Sequence, residues 1–119
     1  MKKVYYLSTC STSKRIIKEL KLEELEFDFQ DIKFEAITEE QLVVMHSMSG
    51  SYERLFSKIA RKYKVLGLKE KTLTETEYKA YILEEYTFLK RPVIIINDSI
   101  FIGNSKKTVE AASQVLNLH

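Results

Sequence analysis

One cysteine occurs in the 119 residues, and its neighbours suit it to chemistry. Cys10 is followed by Ser11, Thr12 and Ser13, three hydroxyls in a row, and then by the cations Lys14 and Arg15. The thiolate is the nucleophilic form of cysteine, and a helix N-terminus or a nearby Lys or Arg brings its pKa from ~8.5 down to roughly 3.5–7.5. A lone cysteine is usually a small buried hydrophobe. Here the run of hydroxyls and cations argues instead for a reactive thiolate facing a small oxyanion or another thiol. With no second cysteine, neither an internal disulfide nor a Cys-based metal cluster can form. Any redox cycle must therefore take its second thiol from outside, and this cysteine usage fits a reducing, cytoplasmic setting.

Two elements must position that thiol. Val4 to Leu7 is an apolar run that reads as a buried strand, and Ile16, Ile17 and Leu20 recur at helical spacing. Cys10 then falls in the short connection between strand and helix. Ser11, Thr12 and Ser13 are placed to cap that helix, whose free N–H groups and dipole make an anion seat.

Further along, Leu25, Phe27 and Phe29 alternate with Glu26, Asp28 and Gln30, the pattern of a half-buried strand over 25–30. Strand, helix and strand form a βαβ unit, so the first two strands should be parallel neighbours. Thr38-Glu39-Glu40-Gln41 and Thr74-Glu75-Thr76-Glu77 have capping-box form and open two helices, the first ending near Ser49-Gly50. Between them Leu55, Phe56, Ile59, Tyr63 and Leu66 suggest a longer helix stopped by Gly67. The second capping box leads a helix with Tyr78, Ile82 and Leu83 on its apolar side. Residues from about 38 to 88 thus read as a helical block inserted between strands.

Pro92 introduces Val93-Ile94-Ile95-Ile96, the most β-prone run in the chain, and Asn97-Asp98 turns it into Ser99-Ile100-Phe101-Ile102. Ser105 caps a last helix with Val109, Ala112 and Leu116 on its inward stripe. The expectation is one α/β domain over 1–119, with a mixed four-stranded sheet from about 3–7, 25–30, 93–97 and 99–102. The composition agrees: 45% hydrophobic and 30% charged residues describe a globular chain. A net charge of +2 gives no argument for nucleic acid, and no apolar run reaches the ~20 residues of a membrane span. The Met-Lys-Lys start leads into a strand too short for a signal-peptide core.

Three segments in this order resemble the arsenate reductase-like proteins, the ArsC/Spx family, over nearly the whole chain. They are Thr9-Cys10-Ser11-Thr12-Ser13-Lys14, then Leu55-Phe56-Ser57 with Tyr63-Lys64-Val65-Leu66-Gly67-Leu68, and Leu89-Lys90-Arg91-Pro92-Val93-Ile94 followed by Phe101-Ile102-Gly103. The resemblance implies a thioredoxin-like fold with a helical insertion and a cis peptide bond before Pro92. It implies that Cys10 is the nucleophile, that Ser13 supports its thiolate, and that Arg91 helps hold an oxyanion. Ser11, Thr12, Lys14 and Lys106 are expected around the anion. Glutathione or a glutaredoxin would serve as external reductant, with no bound cofactor and no metal.

The departures from the family pattern bear on activity. Arsenate-reducing members carry two further arginines. Ile59 stands where the first is expected, with Arg61 two residues on, and Asn104-Ser105-Lys106 where the second is expected. Lys106 offers a point charge without the fork of an arginine. Ser13 occupies the place of the second cysteine found in many Spx-type regulators. A thiol-dependent reductase with weak or absent arsenate activity is therefore expected. The rival class is a Spx-like regulator docking on the α subunit of RNA polymerase, and a third is an inactive binding module. His46 and His119 are remote from Cys10 in sequence, so a Cys–His dyad is not expected.

Overall fold

The computed structural model describes residues 1–116, and they divide into two compact units, Met1–Glu35 with the chain from Arg91 onward, and Ala36–Lys90. In the first unit β1 (Lys2–Tyr6) leads into α1 (Ser11–Glu19) and β2 (Asp28–Asp31), and β3 (Val93–Ile96), β4 (Ser99–Ile102) and α5 (Lys106–Val115) complete it. The sheet order is β2-β1-β3-β4. β1 runs parallel to β2 with Val4 opposite Phe29, and antiparallel to β3 with Val4 opposite Ile94. β3 and β4 form the expected hairpin, with Asn97 at φ 53° in the turn. The mixed four-stranded sheet and its βαβ and ββα halves are thus as the sequence indicated.

β3 is buried at all four positions, which explains its unbroken apolar run: an inner strand covered on both faces has no polar face to show. Ile16, Ile17 and Leu20 of the first helical segment join Val4, Ile94, Ile96 and Ala112 in one core. Fully burying a side chain of this size contributes about 1.5–3 kcal/mol, so this face holds α1 firmly on the sheet. Val109 and Leu116 pack against the same core from α5, as their spacing indicates.

The second strand begins later than its sequence pattern suggests. Leu25 and Glu26 lie in a turn, with Glu26 at φ 57°, and pairing starts at Asp28. Gln30, placed with the polar residues by the alternation, is buried, with its side-chain amide donating to the Glu35 carbonyl at 3.1 Å.

The second unit holds α2 (Glu39–Ser49), α3 (Arg61–Val65) and α4 (Glu75–Glu84). Both capping boxes form, at Thr38 with Gln41 and at Thr74 with Glu77, and α2 ends on Gly50 at φ 91°, a conformation that favours glycine. The long helix expected over Leu55–Leu66 does not form. A single turn at Glu53–Leu55 gives way to an extended Phe56 that bridges to Leu89, and only Arg61–Val65 is α-helical. Ser57 N–H donates to the Phe88 carbonyl at 2.7 Å and Lys90 N–H to the Leu55 carbonyl at 2.8 Å. These non-local bonds replace the helical ones. Phe56 is buried against Phe88, with ring centroids 4.8 Å apart, and against Tyr78 at 4.9 Å. Ile59, expected on a buried face, is 91% exposed, and Leu66 and Leu83 are exposed as well. No helix among the described residues is long and apolar enough to cross a membrane.

Candidate functional site

Cys10 stands at the N-cap of α1, where the chain leaves β1. The connection is tight: Cys10 N–H donates to the Leu7 carbonyl at 2.9 Å, and the Cys10 carbonyl accepts from Lys14 N–H at 3.2 Å. The other side of the loop is tied to β2. Ser8 hydrogen-bonds the Asp31 carboxylate through both its hydroxyl and its backbone N–H. Partial burial pushes Asp31 up, but the Ser8 hydroxyl, the N–H groups of Lys33 and Ser8 and the Lys33 charge outweigh it, so Asp31 stays below the ordinary carboxylate range. Asp31 had no signal in the sequence, because its partner Ser8 lies in the loop after β1, far from it along the chain, and the pair belongs to no local motif.

The hydroxyls after Cys10 do not share one role. The sequence suggests that all three can cap α1, yet they are its first three residues and no side chain caps the helix. Ser11 is exposed and Thr12 half-buried, whereas Ser13 is fully buried. The Ser13 Oγ has no hydrogen-bond partner beside a neutral thiol, which is a weak acceptor. Toward an ionised sulfur the same hydroxyl and the Ser13 backbone N–H are donors. The thiolate is therefore the form of Cys10 that satisfies this end of α1.

Arg91 reaches the sulfur from two residues before β3, across 81 positions of sequence, and the Arg91–Pro92 peptide bond is cis. Partial burial pushes the Cys10 thiol up; the Ser13 hydroxyl, the Ser13 N–H and the Arg91 guanidinium act against it and prevail, leaving the thiol below its ordinary value. The result is an accessible, acidic cysteine with fixed donors on two sides. Such a sulfur can attack an electrophile and hold the negative charge that develops.

A model of the ArsC family matches residues 5–112, which takes in Cys10, Ser13, Arg91 and Pro92. The chain belongs to the ArsC family. No curated protein matches it in sequence. Among solved structures it is similar to an ArsC family related protein from Bacteroides fragilis, with 25% identity and a TM-score of 0.78 over 92% of this chain and 95% of that one. A Staphylococcus aureus protein matches with 25% identity and a TM-score of 0.75, covering 93% of this chain and 97% of that one. The arsenate reductase from Vibrio cholerae has 19% identity and a TM-score of 0.73 over 99% and 98% of the two chains, a likeness of fold. The fold that this chain has in common with these structures is its mixed four-stranded sheet with flanking helices, the thioredoxin-like plan of the ArsC family.

Within this ArsC-family chain the other candidate residues fall in different places. Lys14 and Lys106 are exposed, the latter opening α5 behind its Ser105 cap. The groups that act on the Cys10 sulfur are Ser13 and Arg91. Arg61 is exposed at the start of α3 in the other unit, and Ile59 precedes that helix instead of lying within it. His46 does meet a carboxylate, with Nε2 3.8 Å from Glu75 Oε1, but in the second unit and stacked on Tyr52 at 4.2 Å. His119 lies outside the described residues. No group of His, Cys, Asp and Glu able to hold a metal occurs among the described residues.

Proposed function

We propose that the protein is a thiol-dependent reductase that works by thiol–disulfide exchange at Cys10. The observation that carries this reading is the acidic Cys10 thiol held between Ser13 and Arg91. Cys10 thiolate attacks one sulfur of a substrate disulfide, the S–S bond breaks, and one substrate thiolate leaves and takes a proton from water. The thiolate of an external thiol, glutathione or a glutaredoxin, then attacks the substrate sulfur of the mixed disulfide and returns Cys10 as thiolate. A second external thiol attacks the external sulfur of the disulfide so formed, which releases the remaining substrate half as a thiol and leaves the two external thiols joined by an S–S bond. Two electrons pass from the external thiols to the substrate in the full cycle. Exchange is fastest for an attacking thiol whose pKa lies near ambient pH, and a Cys10 thiol lowered from its ordinary value moves in that direction.

Arsenate is a poor substrate in this reading. A small, multiply charged oxyanion needs several fixed donors, and bidentate Arg contacts are the strong kind. One guanidinium acts on the sulfur. The test is glutathione-coupled reduction of bis(2-hydroxyethyl) disulfide and of arsenate by purified protein and by Cys10→Ser. Disulfide turnover lost in the variant, with arsenate reduction near background, is the expected result. Robust arsenate turnover that depends on Cys10 would overturn the choice of substrate. No Cys10-dependent turnover of either would overturn the reductase.

A further inference from the structure

A groove of about 950 Å³ runs along α1 on the β2 side of the first unit. Its floor is apolar. Tyr6 and Phe29 meet edge to face there with centroids 6.0 Å apart, beside Ile17. Its rim is basic: Lys14, Arg15 and Lys18 line it against a single carboxylate, Glu23. Arg15 is engaged by Glu19 at 3.5 Å. Lys14 and Lys18 stand one helical turn apart, a like-charge spacing that is unfavourable unless an anion sits between. Thr9 and Ser11, the two neighbours of Cys10 in sequence, line it as well, while Cys10 itself does not.

Size and length narrow the occupant. The volume is in the range of small-molecule sites, which run to roughly 1,000 Å³. The lining of α1 from Ser11 to Lys18 extends about 10 Å at 1.5 Å per residue. That suits a compact organic anion and is too short for a folded partner.

We propose that this groove binds a small organic anion with an aromatic or apolar body, its carboxylate between Lys14 and Lys18 and its body on Tyr6 and Phe29. The occupant is the non-sulfur portion of the thiol or disulfide that exchanges with Cys10, so the proposal rests on the reductase reading for its purpose though not for its geometry. Charge at the groove then selects acidic thiols over neutral and cationic ones.

The probes are 5,5′-dithiobis(2-nitrobenzoate), anionic and aromatic, and 4,4′-dithiodipyridine, neutral and aromatic. On full-length Cys10→Ser protein, where neither can exchange, the anionic probe should shift the amide NMR signals of Thr9, Ser11, Lys14 and Lys18, and the neutral one should bind more weakly. Adding Lys14→Gln and Lys18→Gln should weaken the anionic probe about fivefold, the scale of exposed ion pairs, and raised salt should do the same. Binding that is absent, that maps elsewhere, or that ignores both lysines and salt overturns the groove. Release of the coloured thiolate by the wild-type protein is followed separately. Groove binding without release would sink the reductase alone, and release without groove binding would sink this proposal alone.

Discussion

Ser13 presents a buried hydroxyl and a backbone N–H to the sulfur of Cys10, three residues earlier and at the cap of the same helix. Because the hydroxyl has no other partner, it rewards ionisation of the sulfur more than it stabilises the neutral thiol. Arg91 adds a charge from the segment that leads into β3, the strand paired with β1.

These two donors separate by mutation. Ser13→Ala and Arg91→Met should each raise the Cys10 pKa, since the Ser13 hydroxyl and the Arg91 guanidinium each favour the ionised sulfur. The pH dependence of thiolate absorbance near 240 nm, read against Cys10→Ser, measures it. No rise in either variant would remove the assigned role of that residue.

Stability should follow the same ionisation. Cys10 titrates below its ordinary value in the folded chain, so at intermediate pH the unfolded chain holds the extra proton and folding gains as pH rises. That gain is complete above the unfolded value of ~8.5 and is lost as pH falls through the folded value. The stability of wild type relative to Cys10→Ser should therefore grow with pH up to about 9, by denaturant unfolding under reducing conditions. A difference that is flat or shrinks over this range would contradict the assignment.

In the second unit, Thr38→Ala and Thr74→Ala each remove the hydroxyl of a formed capping box. Each should cost about 1 kcal/mol, read from urea midpoints. A cost near zero for both would show that tertiary packing alone holds α2 and α4.

Phe56→Ala should be far more damaging, by about 3–5 kcal/mol, because the ring is buried among Phe88, Tyr78 and Tyr63. Ile59→Ala, at an exposed position, should stay within about 0.5 kcal/mol. Equal effects of the two would favour the long amphipathic helix suggested by their spacing.

That helix shows where sequence reading stops. Capping boxes, the Val93–Ile96 run and the Asn97-Asp98 turn are local signals, and each is realised. Leu55, Phe56, Tyr63 and Leu66 fit helical spacing as well, but the pairing of Phe56 with Leu89 decides their conformation, and nothing near Phe56 announces it. The site divides in the same way. Cys10 was visible from its place at a strand–helix junction, whereas the support that Ser13 gives the sulfur, like the part of Arg91, was indicated only by the family motif. Asp31 was hidden because it meets Ser8 through the parallel pairing of β1 with β2. Lys106 carried the right charge at a matching place, yet it is Ser13 and Arg91 that act on the sulfur.

The most direct test of the account is the pH profile of Cys10 alkylation by iodoacetamide in the wild-type protein. As the one cysteine in the chain, it reports without background from other thiols. A midpoint clearly below the ~8.5 of an ordinary thiol, displaced upward in Ser13→Ala, is the predicted result. A midpoint at or above the ordinary value, unmoved by that substitution, would mean that Cys10 is not held as a thiolate and would contradict the account at its centre.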